Sequence, residues 1–150
     1  MRIGILRRDD RSAAFFDAAA RGQLLIRRCG RCGRWLAPEA GTCYQCGAEN
    51  PGWALASGHG TLVSWAVLHP RPSPSAQPAR PVTGDDDAVT VLALVELDEG
   101  PWLHTVLAVT GRAAIGALHA GQRVAASFTH PAEGESYPPF RPATAEDPDP

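Results

Sequence analysis

The chain has 150 residues, one domain's length with room for a small satellite, and its 44% apolar content is enough for a core. The net charge of −2 hides an asymmetry: residues 1–34 hold nine arginines against three acids, and residues 35–150 hold five against thirteen. Lysine is absent, which excludes a phosphate-loop lysine, a Schiff base and a catalytic lysine base.

Met1 to Arg8 reads as a short basic arm that packs on something else. Asp9 to Arg21 reads as a helix, with aspartates at its N-terminal end and Gly22 placed to stop it. Phe15, Phe16 and Ala19 share one face of it, a packing pattern. Gln23 to Arg28 is a short strand, Trp35 and Leu36 return from it as a hairpin, and Trp53 closes this ribbon onto the strand-rich half of the chain. Strand patterns then take over. Thr61 to His69 is β-branched and aromatic, bounded by Gly58, Gly60 and Pro70. Pro70 to Asp87 holds five prolines and an acidic triplet, the composition of a long or disordered loop. Ala88 to Leu97 is apolar on both faces, as a central strand is. Asp98 to Pro101 is a turn, and Trp102 to Val109 returns as the hairpin partner. Gly111 to Leu118 is a short helix or turn, and Gln122 to Thr129 the last strand of the body. Pro131 to Pro150 reads mostly as a tail, with Tyr137 and Phe140 as anchors to a partner or to its own barrel. The strand count and length fit a five-stranded OB barrel, although composition alone supports only a small all-β domain.

All four cysteines lie between residues 29 and 47. Cys29 and Cys32, then Cys43 and Cys46, form two Cys-x-x-Cys-Gly knuckles. Each sets two thiols on one tight turn, and together the turns make a tetrahedral four-sulfur cage with no position left for substrate. Gly33 and Gly47 follow each pair, where glycine takes positive φ and lets backbone amides point at sulfur. Two disulfides would suit a secreted chain, but nothing at the N-terminus resembles a signal peptide. A thioredoxin-like redox pair needs one such motif at a helix start in a βαβ unit. Structural zinc is the expectation, and iron held in the rubredoxin manner uses the same four ligands.

Several segments resemble the family catalogued as domain of unknown function thirty-five, and the resemblance covers nearly the whole chain. It rests on Phe15-Phe16, Gly22 and Leu24-Leu25 before the knuckles, and on both knuckles themselves. It continues through Trp53, Ser57-Gly58-His59-Gly60, Val95 to Gly100, Gly121 with Val124 and Phe128, and Pro138 to Pro142. The chain departs from the family pattern where Asp87-Ala88-Val89 replaces a Pro-Tyr pair and where the proline-rich loop is longer. The resemblance implies a mainly β fold: an N-terminal helix, a rubredoxin-like zinc ribbon and a five-stranded OB-fold barrel. The expected division is 1–22 arm and helix, 23–53 ribbon, 54–142 barrel and 143–150 tail. It also implies metal ligation by Cys29, Cys32, Cys43 and Cys46. The implied role is a non-catalytic accessory subunit of an acyl-CoA-processing complex. Its partner would be a thiolase-like aldolase or thiolase, with a hot-dog-fold acyl-CoA hydratase alongside and steroid side-chain degradation as one branch. Such a subunit bridges enzymes or helps hold acyl-CoA.

The residues support the same direction. The chain has no Gly-x-Ser-x-Gly elbow, His-Glu-x-x-His, phosphate loop or dinucleotide fingerprint. His59, His69, His104, His119 and His130 are scattered, so no catalytic residue is assigned. Arg27, Arg28, Arg31 and Arg34 surround the knuckles and could meet an acidic partner or CoA phosphates, or form a solvated face. Trp35, Trp65 and Trp102 are candidate interface anchors or core residues. The competing reading is a single-stranded nucleic-acid-binding zinc-ribbon and OB module, against which the acidic barrel half counts. No apolar run approaches the ~20 residues that span a bilayer, so no membrane role and a cytoplasmic location are expected.

Overall fold

The computed structural model describes residues 4–69 and 89–147. Helix α1 (Ala13–Ala20) begins later than its sequence pattern suggests. Asp9 and Ser12 exchange backbone-to-side-chain bonds: the Ser12 N–H donates to Asp9 Oδ1 at 2.9 Å and the Asp9 N–H to Ser12 Oγ at 3.0 Å. That reciprocal turn spends the capping groups before the helix starts, so residues 10–12 form a turn. The helix ends as expected, with Gly22 at φ +71° and the Gln23 N–H returning to Ala18 O at 3.0 Å. Ala18 and Ala19 are buried beneath it, while Phe15 meets Phe16 edge-on and tilts against Trp53.

The ribbon is a three-stranded antiparallel sheet of β1 (Leu25–Arg28), β2 (Trp35–Leu36) and β3 (Gly52–Leu55), with β1 in the centre. The expected hairpin pairs Arg28 with Trp35, and Trp53 closes the other edge opposite Arg27. β3 runs past the expected boundary after residue 53, so the ribbon sheet enters the segment assigned to the barrel. Leu24 and Ile26 belong to the same buried cluster as the barrel interior. The start of the ribbon therefore joins the barrel core, while Cys29, Leu36 and Cys43 form a separate buried cluster at the knuckles.

The barrel is built from β4 (His59–Leu68), β5 (Thr90–Leu97), β6 (Trp102–Leu107), β7 (Arg123–Ala126) and β8 (Phe140–Pro142). It closes in the order β4-β5-β6-β8-β7, with β6 and β8 parallel and the other pairs antiparallel, which is OB topology. Helix α2 (Arg112–Gly116) follows β6, and Ile115 and Leu118 beside it pack on the core. Inward residues alternate along β5, where Val91, Ala93, Val95 and Leu97 are buried. The outer face of this strand is open, with Leu92 exposed, so an apolar sequence on both faces marks a central strand covered on one side only.

Two readings of the chain ends change. The segment after Pro131 is not mostly tail: β8 closes the barrel, and Phe140 is completely buried between β6 and β7. Burying a side chain of that size contributes ~1.5–3 kcal/mol. The arm before α1 packs on its own molecule. The Glu135 N–H donates to Leu6 O at 3.1 Å, and Arg8 bonds both oxygens of Glu135 and reaches Asp17 of α1. Arg8 thus ties arm, helix and barrel loop together, and its guanidinium holds the Glu135 carboxyl below the usual range. Arg123 clamps Asp98 through two bonds of 2.7 and 2.8 Å, joining β7 to the β5–β6 turn. The expected loop at 70–87 lies outside the described residues. Among the described residues, no helix is long and apolar enough to cross a membrane.

Gly60 sits where β4 pairs with β5 on one side and β7 on the other, at a close backbone approach. A Cβ there would lie 2.5 Å from Glu96 O and 2.7 Å from Val95 Cγ1. Gly60→Ala should therefore cost ~1–3 kcal/mol in urea unfolding, whereas Gly116→Ala, with open space around it, should be close to neutral. Glu135 supplies a pH signature. Its carboxyl titrates lower in the folded chain than its ordinary 4.5, so its stabilisation is present above that value and lost as pH falls through the folded pKa. The gap in urea midpoint between wild type and Glu135→Gln should be full at neutral pH, begin to shrink near the ordinary 4.5 and close as pH falls through the lower folded pKa.

Candidate metal centre

Each knuckle is built by the same local rule. The first turn is closed by the Gly33 N–H donating to Cys29 O at 2.9 Å and the Cys29 N–H to Arg34 O at 2.8 Å. The second repeats it, with Gly47 N–H to Cys43 O and Cys43 N–H to Ala48 O, both 2.8 Å. Both glycines sit in the left-handed region, Gly33 at φ +75° and Gly47 at φ +71°, where a side chain would be strained. β1 and β2 hold the first turn, and the Thr42–Glu49 bridge holds the second.

The two turns bring the four sulfurs of Cys29, Cys32, Cys43 and Cys46 within 4.8 Å of one another. The Cys29–Cys46 and Cys32–Cys43 sulfurs are each 3.6 Å apart. A tetrahedral ion with metal–sulfur bonds of ~2.3 Å needs sulfur edges of roughly 3.8 Å, so the cage has the right size. No two of the cysteines are joined, and these separations are far beyond disulfide bonding distance. Among the described residues this is the one group of His, Cys, Asp or Glu side chains positioned to bind a metal.

Electrostatics point the same way. The backbone N–H of Cys32, followed by that of Arg31, outweighs burial and lowers the Cys29 thiol to about 6. At Cys43 burial opposes ionisation, yet the amides of Cys46 and Gln45 bring the thiol below its ordinary value. At Cys46 the Ala48 amide favours the thiolate, but burial and the three other sulfurs push the thiol up to about 11. Four thiolates cannot gather at this spacing without a cation among them. Backbone donors stabilise the first charges, and a divalent ion is what the last one needs.

The arginines around the knuckles divide. Arg27 is turned into the molecule: its guanidinium stacks 3.6 Å above the Trp53 ring and donates to Pro38 O and Pro51 O. Burial lowers its pKa, and Arg11 adds to that. Arg28, Arg31 and Arg34 are exposed. Arg28 lies over Trp35, and Arg34 lies over Tyr44 while donating to its hydroxyl at 3.0 Å. Trp35 and Trp65 pack against the core, whereas Trp102 is 52% exposed.

Beside the cage lies a cleft of about 480 Å³, lined by Arg34, Trp35, Tyr44 and the β5–β6 turn at Glu99–Pro101. Glu99 accepts the Ser57 N–H at 2.6 Å, so the Ser-Gly-x-Gly segment and this turn are bonded to each other. Sequence reasoning missed this link and the Arg27–Trp53 stack, because both join residues far apart in the chain.

Metal analysis of the purified chain should return one divalent ion per molecule. Cys32→Ser, which changes an exposed ligand, should lower that stoichiometry and destabilise the ribbon by several kcal/mol, on the order expected for a structural metal site. A metal-free chain with wild-type melting behaviour would contradict the fit of the cage.

Comparisons with known proteins agree with this architecture. Residues 16–52 match the family described as the rubredoxin-like zinc ribbon domain of ChsH2, and residues 53–129 its C-terminal OB-fold domain. A solved structure named "Ltp2-ChsH2(DUF35) aldolase" superposes with a TM-score of 0.70 at 28% identity, covering 91% of this chain and 98% of that one. A DUF35-family protein of unknown function from Sulfolobus solfataricus shares the fold, with a TM-score of 0.55 at 12% identity over 89% of this chain and 86% of that one. A "Probable enoyl-CoA hydratase alpha subunit" from Thermomonospora curvata is 33% identical over 96 residues, 64% of this chain. The chain spans only 27% of that relative's length. By the extent of the two family matches, the chain belongs to the ChsH2-type family of DUF35 proteins, with a zinc ribbon and an OB fold.

Proposed function

We propose that this chain is a non-catalytic accessory subunit of an acyl-CoA-processing complex, binding and supporting a thiolase-like aldolase or thiolase. The observation that carries the reading is the likeness, over 91% of the chain, to the ChsH2 part of an aldolase. The closed ligand set supports it. An ion held by Cys29, Cys32, Cys43 and Cys46 has all four positions filled by protein sulfur, leaving none for water activation or substrate. The ion is zinc in this reading, with iron as the other metal those ligands suit.

Finer features belong to the same proposal. The partial likeness to a hydratase alpha subunit favours a hydratase as a further member of the complex. Steroid side-chain degradation is the setting that the family resemblance implies. A cytoplasmic location belongs to the same proposal, since cysteines that bind metal instead of pairing as disulfides are usual there. Arg28, Arg31, Arg34 and Trp35 are the knuckle residues best placed to meet a partner or CoA phosphates, because Arg27 is committed to its own chain. The division into 1–22 arm and helix, 23–53 ribbon, 54–142 barrel and 143–150 tail belongs to the same reading, with β3 crossing the ribbon–barrel boundary. A nucleic-acid role gains nothing from the barrel: the described outer residues of β5 and β6 include no arginine.

Co-expression with a thiolase-like aldolase or thiolase from the same organism tests the proposal. The two should co-elute in fixed ratio, and the enzyme's activity should fall at least about tenfold without the chain, an effect of ~1.4 kcal/mol. The chain alone should turn over no acyl-CoA. Turnover by the isolated chain, or salt-dependent binding of single-stranded DNA or RNA with no enzyme bound, would overturn it.

A further inference from the structure

The outer face of β4, β5 and β6 is an apolar sheet surface with nothing on it among the described residues. The strand register sets side chains in rows across it. Ala66, Leu92 and Val106 form one row, and Ser64, Leu94 and His104 the next. Leu68 stands at one end, 53% exposed, and Trp102 at the other, opposite Glu96. Glu96 is the only acid or arginine among the described outward residues of these strands, and it sits at the margin. A soluble barrel normally alternates apolar-in with polar-out. Here the outward positions of β5 include Leu92 and Leu94, with a shallow groove of about 220 Å³ between them and His104.

We propose that this face is the apolar centre of the surface that docks the thiolase-like partner, an inference that rests on the function proposed above. Area selects the occupant. Strands ~4.8 Å apart with a rise of ~3.4 Å per residue give the face roughly 300 Å². Two copies of the chain meeting face to face would bury roughly 600 Å², in the range of packing contacts and about half the smallest stable interface. A larger protein with a concave surface can cover this face and its surroundings together. Those surroundings are suited to it. The β5–β6 turn that leads into Trp102 also lines the cleft with Trp35, Tyr44 and Arg34, and Tyr44 is 73% exposed. Tryptophan, tyrosine and arginine are the residue types that dominate binding energy at interfaces. The partner surface is therefore apolar where it meets Leu92 and acidic where it meets Arg34.

The test measures the affinity of the purified partner for wild-type chain, Leu92→Glu, Trp102→Ala and Leu55→Glu. Leu55 is a still more exposed leucine on the ribbon sheet, 58% against 41% for Leu92. Melting temperature and metal content verify that each variant folds. Leu92→Glu and Trp102→Ala should each weaken binding about 30-fold or more, the effect of a hot-spot residue. Leu55→Glu should change it by less than about threefold, as a residue outside the interface does. If wild type binds the partner and both barrel variants bind as tightly, the surface is wrong and the accessory role stands. If wild type binds no thiolase-like enzyme, the role itself fails and the surface with it. Sedimentation of the isolated chain provides a further check: a dimer abolished by Leu92→Glu would make a second copy the occupant. Slow maleimide labelling of Leu92→Cys in the monomer would mean the chain covers the face itself. Either result overturns the proposal.

Discussion

Four sulfurs held within 4.8 Å of each other repel as they ionise, and the ribbon is arranged around overcoming that repulsion. Backbone amides in two glycine-closed turns draw the first thiols toward the thiolate, while the crowding of sulfurs raises Cys46. A cation at the centre converts this conflict into cohesion, because each ligand then holds the others in place. The consequences extend outward from Cys29. It follows β1 directly, and β1 carries both neighbours of its sheet, with Ile26 in the strand and Leu24 just before it entering the barrel core. Fixing the knuckles thus fixes β1, and β1 fixes the ribbon against the barrel.

The barrel has a separate requirement, closure. β4 must pair with strands on both sides, and Gly60 permits the close backbone approach that this demands. The opposite seam is made by three residues, Phe140 to Pro142, whose short length is offset by the complete burial of Phe140. Ion pairs then bind the periphery: Arg8 fastens the arm to α1 and a barrel loop, Arg123 joins β7 to a hairpin turn, and Arg141 holds Asp147. These clamps lie at the surface, where solvent and salt weaken them. They set the placement of segments more than overall stability.

Local features were legible in the sequence. The knuckle spacing and its glycines announce the cage, and strand patterns place β4 to β7 within a few residues. What escaped depends on distant partners. β8 lies among prolines and is too short for a periodicity, so only its contact with β6 and β7 makes it a strand. The helix start moved because Asp9 and Ser12 bond each other in a turn. Arg27 looked like a surface charge, but Trp53, brought opposite it by strand pairing, draws it inward. The β5 pattern suggested cover on both faces, and the open outer face is the difference that suggests a partner.

In the proposed role, structure falls to the metal and chemistry to a partner enzyme, and that division depends on the cage having no vacant position. X-ray absorption at the metal edge of the purified chain measures this directly. The predicted result is a zinc edge with four sulfur neighbours at ~2.3 Å and no lighter atom bonded to the ion. Three sulfurs with an oxygen or nitrogen at ~2.0–2.2 Å would reveal an open position and contradict it.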